Sequence, residues 1–430
     1  MNKITSIALM AAMVAGATEF RVSSDHADAL YRLDETAVFT VEAYETNGVP
    51  LKGKCHVRLD NFGDRIFFEK DVDLEKEPKF TVSGKMDRPG FLMLRVSKAK
   101  SQAKLFGVGY EPEKLRPYRE CPADFDEFWA NSIKKYNAEC PGPIKATKVD
   151  PGKVKGRDLF ELEIPALGSR TVWGYFSAPK DLSKGPYPLH IHLPGAGPAS
   201  FSEGGSENAF NLFVNVHYYQ PKRGIKYKGP ESNAMQKAED EAYAKKYPVK
   251  MVRYTQCGIA VSREDYFYYA SILAINRAID WAAAHEGVDL KRVKYSGGSQ
   301  GGGLGLIVTG LNKHIRKAYV TVPALTDHLC FKIDQREAGW PRLIDAQLPE
   351  NRAAAEKWAP YFDGVYFAQR ITVPIRFNVG FADTVCPPHA GWTAYNVCPS
   401  KDKDMLYGIG QGHPPLPEIS RKLQEWWNKD

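Results

Sequence analysis

The sequence predicts an α/β fold, a mostly parallel sheet flanked by helices, preceded by a small all-β sandwich. Three observations carry that prediction. Up to about residue 97, short apolar-polar alternations recur between turn residues. From about residue 155, strand-length apolar runs alternate with helically spaced ones. A glycine-rich turn, Gly297 to Gly303, joins one such run to an apolar helix. A length of 430 residues fits two domains, and 43% hydrophobic with 25% charged residues excludes a disordered or collagen-like chain.

Met1 to Ala17 carries one cation, Lys3, an apolar stretch from Ile7 to Val14, and a small-residue run, Ala15-Gly16-Ala17. This is the pattern of a cleaved export leader, so a periplasmic or extracellular enzyme is expected; a mobile N-terminal helix is the alternative. No later segment has the roughly 18 consecutive apolar residues of a membrane span, so no membrane insertion is expected. Without Lys3 the chain keeps 57 basic and 51 acidic residues, a net +6 spread over its length. The densest basic cluster, Lys222, Arg223, Lys226 and Lys228, has no aromatic platform or amphipathic frame and reads as a solvated loop, with no nucleic-acid partner. Seven cysteines lack the paired spacing of a zinc site, and no metal is expected. Cys121 with Cys140, or Cys386 with Cys398, could meet, but spacing assigns no disulfide.

In the first domain, residues 18–105, strands are expected at Ala37 to Ala43, Lys54 to Leu59 and Gly90 to Val96. The turns Asn47-Gly48, Asn61-Phe62-Gly63 and Arg88-Pro89-Gly90 between them favour an Ig-like sandwich. A polar stretch, Lys98 to Lys104, and the segment Leu115-Arg116-Pro117-Tyr118 lead into the second domain, residues 106–430. Pro122 to Trp129 reads as a helix start, with a polar cap, acids in the first turn and then an apolar face. Core strands are expected at Thr171 to Ser177, Tyr187 to Leu193, Val293 to Tyr295 and Pro374 to Val379. Tyr268, Ile272, Ile275 and Ile279 mark one helix face, with Gly287 as its stop.

The chemistry concentrates at Gly297, Ser299 and Gly301, which satisfy G-x-S-x-G. A serine thrust out of so sharp a turn needs small neighbours, because strand and helix approach closely. The turn could instead cradle a phosphate, but it lacks the Lys-Ser/Thr of a P-loop and the acidic partner of a dinucleotide site. A hydroxyl is a poor nucleophile near neutral pH and needs a base, which in turn needs an orienting carboxylate. Asp383 follows the strand Pro374 to Val379, and His413 lies in a glycine-rich loop before the last helix. The chain order Ser, Asp, His is that of the α/β-hydrolase fold. His389, and His328 with Asp327, are weaker candidates; Asp383 as a turn cap and His413 as a surface imidazole are the bland ones. Oxyanion donors are expected from the N–H groups of Gln300 and of Ala196 in Pro194-Gly195-Ala196-Gly197. This chemistry calls for no cofactor.

Four passages resemble the acetyl xylan esterase and cephalosporin C deacetylase family, carbohydrate esterase family 7. They are Arg116-Pro117 with Pro122 to Trp129, Pro194 to Gly197, Gly297 to Gly302, and Gly380-Phe381-Ala382-Asp383 with Pro387-Pro388, and the likeness runs over roughly residues 115 to 430. The resemblance implies serine-dependent removal of acetyl groups from acetylated xylan-derived oligosaccharides, with Ser299, Asp383 and His413 on the family triad. It also implies that the N–H groups of Ala196 and Gln300 form the oxyanion hole, and it brings the expectation of a homo-oligomer. The chain departs from the family at Ala196, where tyrosine is usual, and at His217-Tyr218-Tyr219-Gln220-Pro221, which replaces Arg-Gly-Gln-Gly. A longer charged stretch to Val249 and the leading β-domain are further departures. Ala196 with Tyr218 and Tyr219 leaves room for a second reading, an esterase for bulkier feruloyl-type groups. A carbohydrate-binding protein that kept the fold and lost the chemistry is a third.

Overall fold

Alternating burial is the cause of the first layer: along Ala37–Ala43 every second residue is buried, so the strand must lay one face on a partner. The computed structural model describes residues 4–7 by backbone alone, and residues 20–44, 51–98, 103–152, 156–198, 206–221, 223, 225, 229–251 and 253–429. Most of the expected leader, the Asn47-Gly48 turn and most of the basic cluster lie outside these residues. In chain order the strands are β1 (Ile4–Ile7), β2 (Phe20–Ser24), β3 (Leu30–Tyr31), β4 (Ala37–Ala43), β5 (Lys54–Asp60), β6 (Ile66–Asp73), β7 (Lys79–Gly84), β8 (Gly90–Ser97) and β9 (Lys104–Tyr110). Then follow β10 (Lys145–Val149), β11 (Arg157–Ala166), β12 (Arg170–Pro179), β13 (Tyr187–His192), β14 (Phe210–Val214), β15 (Val288–Gly298), β16 (Lys317–Thr321), β17 (Ile375–Gly380) and β18 (Lys403–Gly408). The helices are α1 (Phe125–Glu139), α2 (Pro230–Lys246), α3 (Phe267–Ala283), α4 (Gln300–Leu311), α5 (Arg352–Trp358), α6 (Gly364–Ala368), α7 (Pro388–Val397) and α8 (Pro417–Asn428).

The first domain is two facing sheets, ordered β2-β4-β7 and β3-β9-β8-β5-β6. Phe39 of β4 meets Phe106 of β9 edge-on at 6.2 Å. The Tyr110 hydroxyl accepts from Ala37 N–H at 3.0 Å and donates to Gly84 O at 2.9 Å, so it ties both sheets at one end. Because β9 pairs with β8 through Tyr110, the sandwich continues past residue 105 to the end of that strand.

The second domain is one sheet ordered β1-β18-β17-β16-β15-β13-β14-β12-β11-β10. Neighbours from β1 to β14 are parallel. The expected core strand Thr171 to Ser177 lies in β12 and is antiparallel to both neighbours. The reason is the short turn at Gly168 and Ser169, both at positive φ, which closes a hairpin where a parallel neighbour would need a long crossover. Helix α3 buries Tyr268, Ile272, Ile275 and Ile279 as expected, and leads through Gly287 into β15. Parallel pairing puts the carboxyl ends of β13, β15, β17 and β18 along one edge of the sheet, where ligands of such folds bind.

All seven cysteines are free thiols. Among the described residues, no helix is long and apolar enough to cross a membrane.

Candidate active site

Strand β15 ends at Gly298 and α4 begins at Gln300, so Ser299 alone makes the turn, with φ 56° and ψ −123°. That conformation is costly for a residue with a Cβ, and the surroundings hold it. Ser299 N–H donates to Thr321 O at 3.0 Å, and its carbonyl accepts from Gly303 N–H and Ala324 N–H, each at 3.0 Å. The flanking glycines are required by close approach: a Cβ on Gly297 would stand 2.6 Å from Gly301 O, and one on Gly301 2.3 Å from Leu193 O.

Asp383 follows β17 and is fully buried. Its Oδ1 accepts from Val385 N–H at 2.8 Å and Cys386 N–H at 3.0 Å, while its Oδ2 meets His413 Nδ1 at 2.9 Å. The His413 ring is 28% exposed, enough to reach a bound substrate. The loops bearing the two residues are stitched together: Ala382 N–H donates to Gln411 O at 2.8 Å and Phe381 N–H to Gly408 O at 3.0 Å. The buried amides of Asn378 and Gln411 also bond each other in both directions, at 3.2 and 3.3 Å. The structure thus brings Asp383 and His413 into contact and sets Ser299 on the same sheet edge. Among the described residues it gives no hydrogen bond from Ser299 Oγ to His413; such bonds are often long before substrate binds.

The competing residues are taken up by the core. His389 is fully buried, with Nε2 on Glu337 O at 3.1 Å and burial pushing its imidazole down to about 3. The backbone N–H groups of Asp327 and His328 both donate to the Asp363 carboxylate, at 2.8 and 2.7 Å. Burial pushes the Asp327 carboxyl up to about 7, and Thr393 donates to it at 3.0 Å. Another hydroxyl-imidazole contact, Ser296 Oγ with His192 Nδ1 at 2.6 Å, joins the neighbouring strands β15 and β13, and burial lowers that imidazole to about 4. Sequence reasoning missed it, although the alternation His190-Leu189 and His192-Ile191 was legible as two imidazoles on one face of β13.

The expected oxyanion loop is anchored by groups the sequence did not single out. Gln300 is fully buried; its Nε2 faces Pro194 O and Gly195 O, each at 3.3 Å, and its Oε1 accepts from the hydroxyls of Tyr254 and Tyr268, each at 2.6 Å. On the other side of Ala196, His217 Nε2 meets Gly197 O at 3.1 Å, and His217 Nδ1 contacts the Glu239 carboxylate of α2. In the departure segment from His217 to Pro221, therefore, His217 is part of the loop's support. Tyr218 donates its hydroxyl to Phe267 O at 2.7 Å and packs edge-on against the Phe267 ring.

A serine held at positive φ between a parallel strand and a helix, followed in chain order by an aspartate and its imidazole at the ends of later strands, belongs to one class of protein, the α/β hydrolases of serine type. Sequence comparison carries this to the family. Residues 110–430 match the acetyl xylan esterase (AXE1) family, and the chain belongs to it; it is a carboxylic ester hydrolase. The acetyl esterase Axe7A of Xylanibacter ruminicola is 28% identical over 414 residues, covering 94% of this chain and 89% of the relative. The acetyl xylan esterase of Paenibacillus sp. R4 superposes with a TM-score of 0.57 at 23% identity, over 74% of this chain and 98% of its own. Acetyl xylan esterase 1 of Thermoanaerobacterium sp. JW/SL YS485 gives 0.56 at 20% identity, over 74% and 96%. The fold of the second domain is therefore that of these enzymes, and the sandwich up to Gly109 lies outside the family match.

Proposed function

We propose that the protein removes acetyl groups from acetylated xylan-derived or related sugars through a covalent acyl-serine. Ser299 attacks the ester carbonyl as His413 Nε2 takes its proton. Asp383 Oδ2 accepts from Nδ1–H, which keeps the imidazole's own proton on Nδ1 and leaves Nε2 free to act as the base. The N–H groups of Gln300 and Ala196 receive the developing oxyanion, each worth about 10²- to 10³-fold in rate. His413 then protonates the departing sugar hydroxyl, activates water against the acyl-serine, and acetate leaves. The observation that carries the reading is the buried Asp383 bonded to a solvent-reachable His413 on the same edge as the strained Ser299. Membership in the acetyl xylan esterase family and similarity to the acetyl esterase Axe7A support acetyl as the acyl group. Action after export is part of the proposal and is supported by the leader-like residues 1–17.

The test is acetate release from acetylated xylo-oligosaccharides by wild type and Ser299→Ala, with short- and long-chain nitrophenyl esters alongside. Wild type is expected to release acetate and to prefer the short ester, and Ser299→Ala to lose about 10⁵- to 10⁶-fold in kcat. Preference for the long ester would favour a feruloyl-type substrate. No hydrolysis by folded wild type, with glycan binding untouched by Ser299→Ala, would leave a binding protein in place of the enzyme.

A further inference from the structure

Among the described residues, the sandwich meets the second domain at two places beside the candidate site, and Phe62 also meets the buried His389 of α7 edge-on at 6.4 Å. The first is β9. A Cβ on Gly107 would stand 1.7 Å from Phe381 O, so backbone packs on backbone there, two residues before Asp383. Phe91 of β8 meets the Phe381 ring edge-on at 5.1 Å, and Phe381 stacks on Tyr407 of β18 at 4.6 Å. Phe91, Phe381 and Tyr407 are each 1% exposed or less, so this is core packing and not a hinge between tethered modules.

The second place is the segment from Asp334 to Arg342. Phe62 O accepts from Glu337 N–H at 2.7 Å, Asp64 N–H donates to Gln335 O at 3.2 Å, and Arg65 pairs with Asp334 at 2.9 Å. The buried Arg336 donates to Pro89 O. From there contacts run back to the acid loop: Arg342, paired with Glu337 at 2.6 Å, donates to Thr384 O at 2.9 Å. Trp340 N–H donates to Val385 O at 2.8 Å and its carbonyl accepts from Leu325 N–H at 2.9 Å. Its ring packs on Val322, Ala324 and Cys386, and Ala324 N–H is itself bonded to Ser299 O.

We infer that the N-terminal sandwich is a positioning scaffold for the active site: by holding Phe381 and the 334–342 segment it fixes the loop that carries Asp383, and through it the Asp383–His413 bond. The inference rests on the reading of Asp383 as the group that orients His413. Gly107 and Phe91 are positioning residues, not catalytic ones.

The experiment uses the full-length protein. Gly107→Ala pushes on Phe381 O; Phe91→Leu, a milder change, removes the ring edge if Gly107→Ala does not fold. Val57→Ala, in the sandwich core and away from Phe381, is the matched control for lost stability alone. Two quantities are read: kcat and KM on a nitrophenyl acetate, and the low-field proton resonance of the His413 Nδ1–H bond to Asp383. Gly107→Ala, or Phe91→Leu in its place, is expected to lower kcat about 10- to 100-fold with KM changed little, and to shift or broaden that resonance. Val57→Ala is expected to leave both as in wild type below its melting temperature. Wild-type kcat and resonance in the two interface variants, or equal losses in Val57→Ala, would overturn the inference. If wild type shows no Ser299-dependent hydrolysis, the proposed function fails. The resonance still decides whether the sandwich holds Asp383 on His413.

Discussion

Gln300, whose N–H at the start of α4 is the proposed oxyanion donor, also supports the candidate site by a side chain that spans from the Pro194 and Gly195 carbonyls to the Tyr254 and Tyr268 hydroxyls. Gln300→Met keeps the volume and the N–H but removes all four bonds. We expect kcat to fall about 10- to 100-fold with KM nearly unchanged, because the misplaced donors matter most when the oxyanion forms. A loss of about 1–3 kcal/mol in denaturant unfolding should accompany it, since two buried tyrosine hydroxyls lose their acceptor. Ser299, Asp383 and His413 could be singled out as candidates because each sits in a local signal, a glycine-rich turn or a strand end. The partners of Gln300 could not, because they lie 46 and 32 residues away and neither tyrosine stands in a motif.

At the scale of elements, the tie between α6 and the segment after β16 is Asp363. Its carboxylate caps α6 through Val365 N–H at 3.0 Å and also takes the N–H groups of Asp327 and His328. Asp363→Ala leaves three buried donors without an acceptor and should cost about 2–5 kcal/mol, measured by urea unfolding. The alternations in the sandwich strands, the α3 stripe and the strand leading to Ser299 were readable because burial there has a fixed period. The antiparallel setting of β12 was not: a short apolar run looks the same in either direction, and only the Gly168-Ser169 turn decides it. Asp327 and His328, weighed as a rival pair, are backbone partners of a carboxylate 36 and 35 residues away, a role no local pattern announces.

Over the whole molecule, burial sets the acid response. His190, His192 and His389 are held neutral, at about 3, 4 and 3. Their folded values lie below the unfolded one near 6.5, so the unfolded chain binds more protons and stability falls as pH drops from about 6.5 towards 4. Asp327 acts oppositely: raised from 3.8 to about 7, it stays protonated when folded and costs stability as pH rises through that interval. Three imidazoles against one carboxyl leave a net of about two protons favouring the unfolded chain near pH 5, so among these four groups acid destabilises. Melting followed between pH 4 and 7 checks the sign, and Asp327→Asn should steepen the loss on acidification. The docking of sandwich on hydrolase domain lay beyond sequence reasoning, since Asn61 and Arg65 reach Asp334 across 273 and 269 residues.

His413 comes later in the chain than every other part of the candidate site, after the sandwich, the turn at Ser299 and Asp383. A polypeptide emerging amino end first therefore carries the proposed nucleophile, Ser299, before its proposed base has been made. Only when β18 has joined the sheet and the loop behind it has bonded the Asp383 loop through Gln411 O and Ala382 N–H does the proposed Asp383–His413 pair form. On the proposed mechanism, then, the topology ties activity to near-complete synthesis: partial products of translation would carry Ser299 without its proposed base.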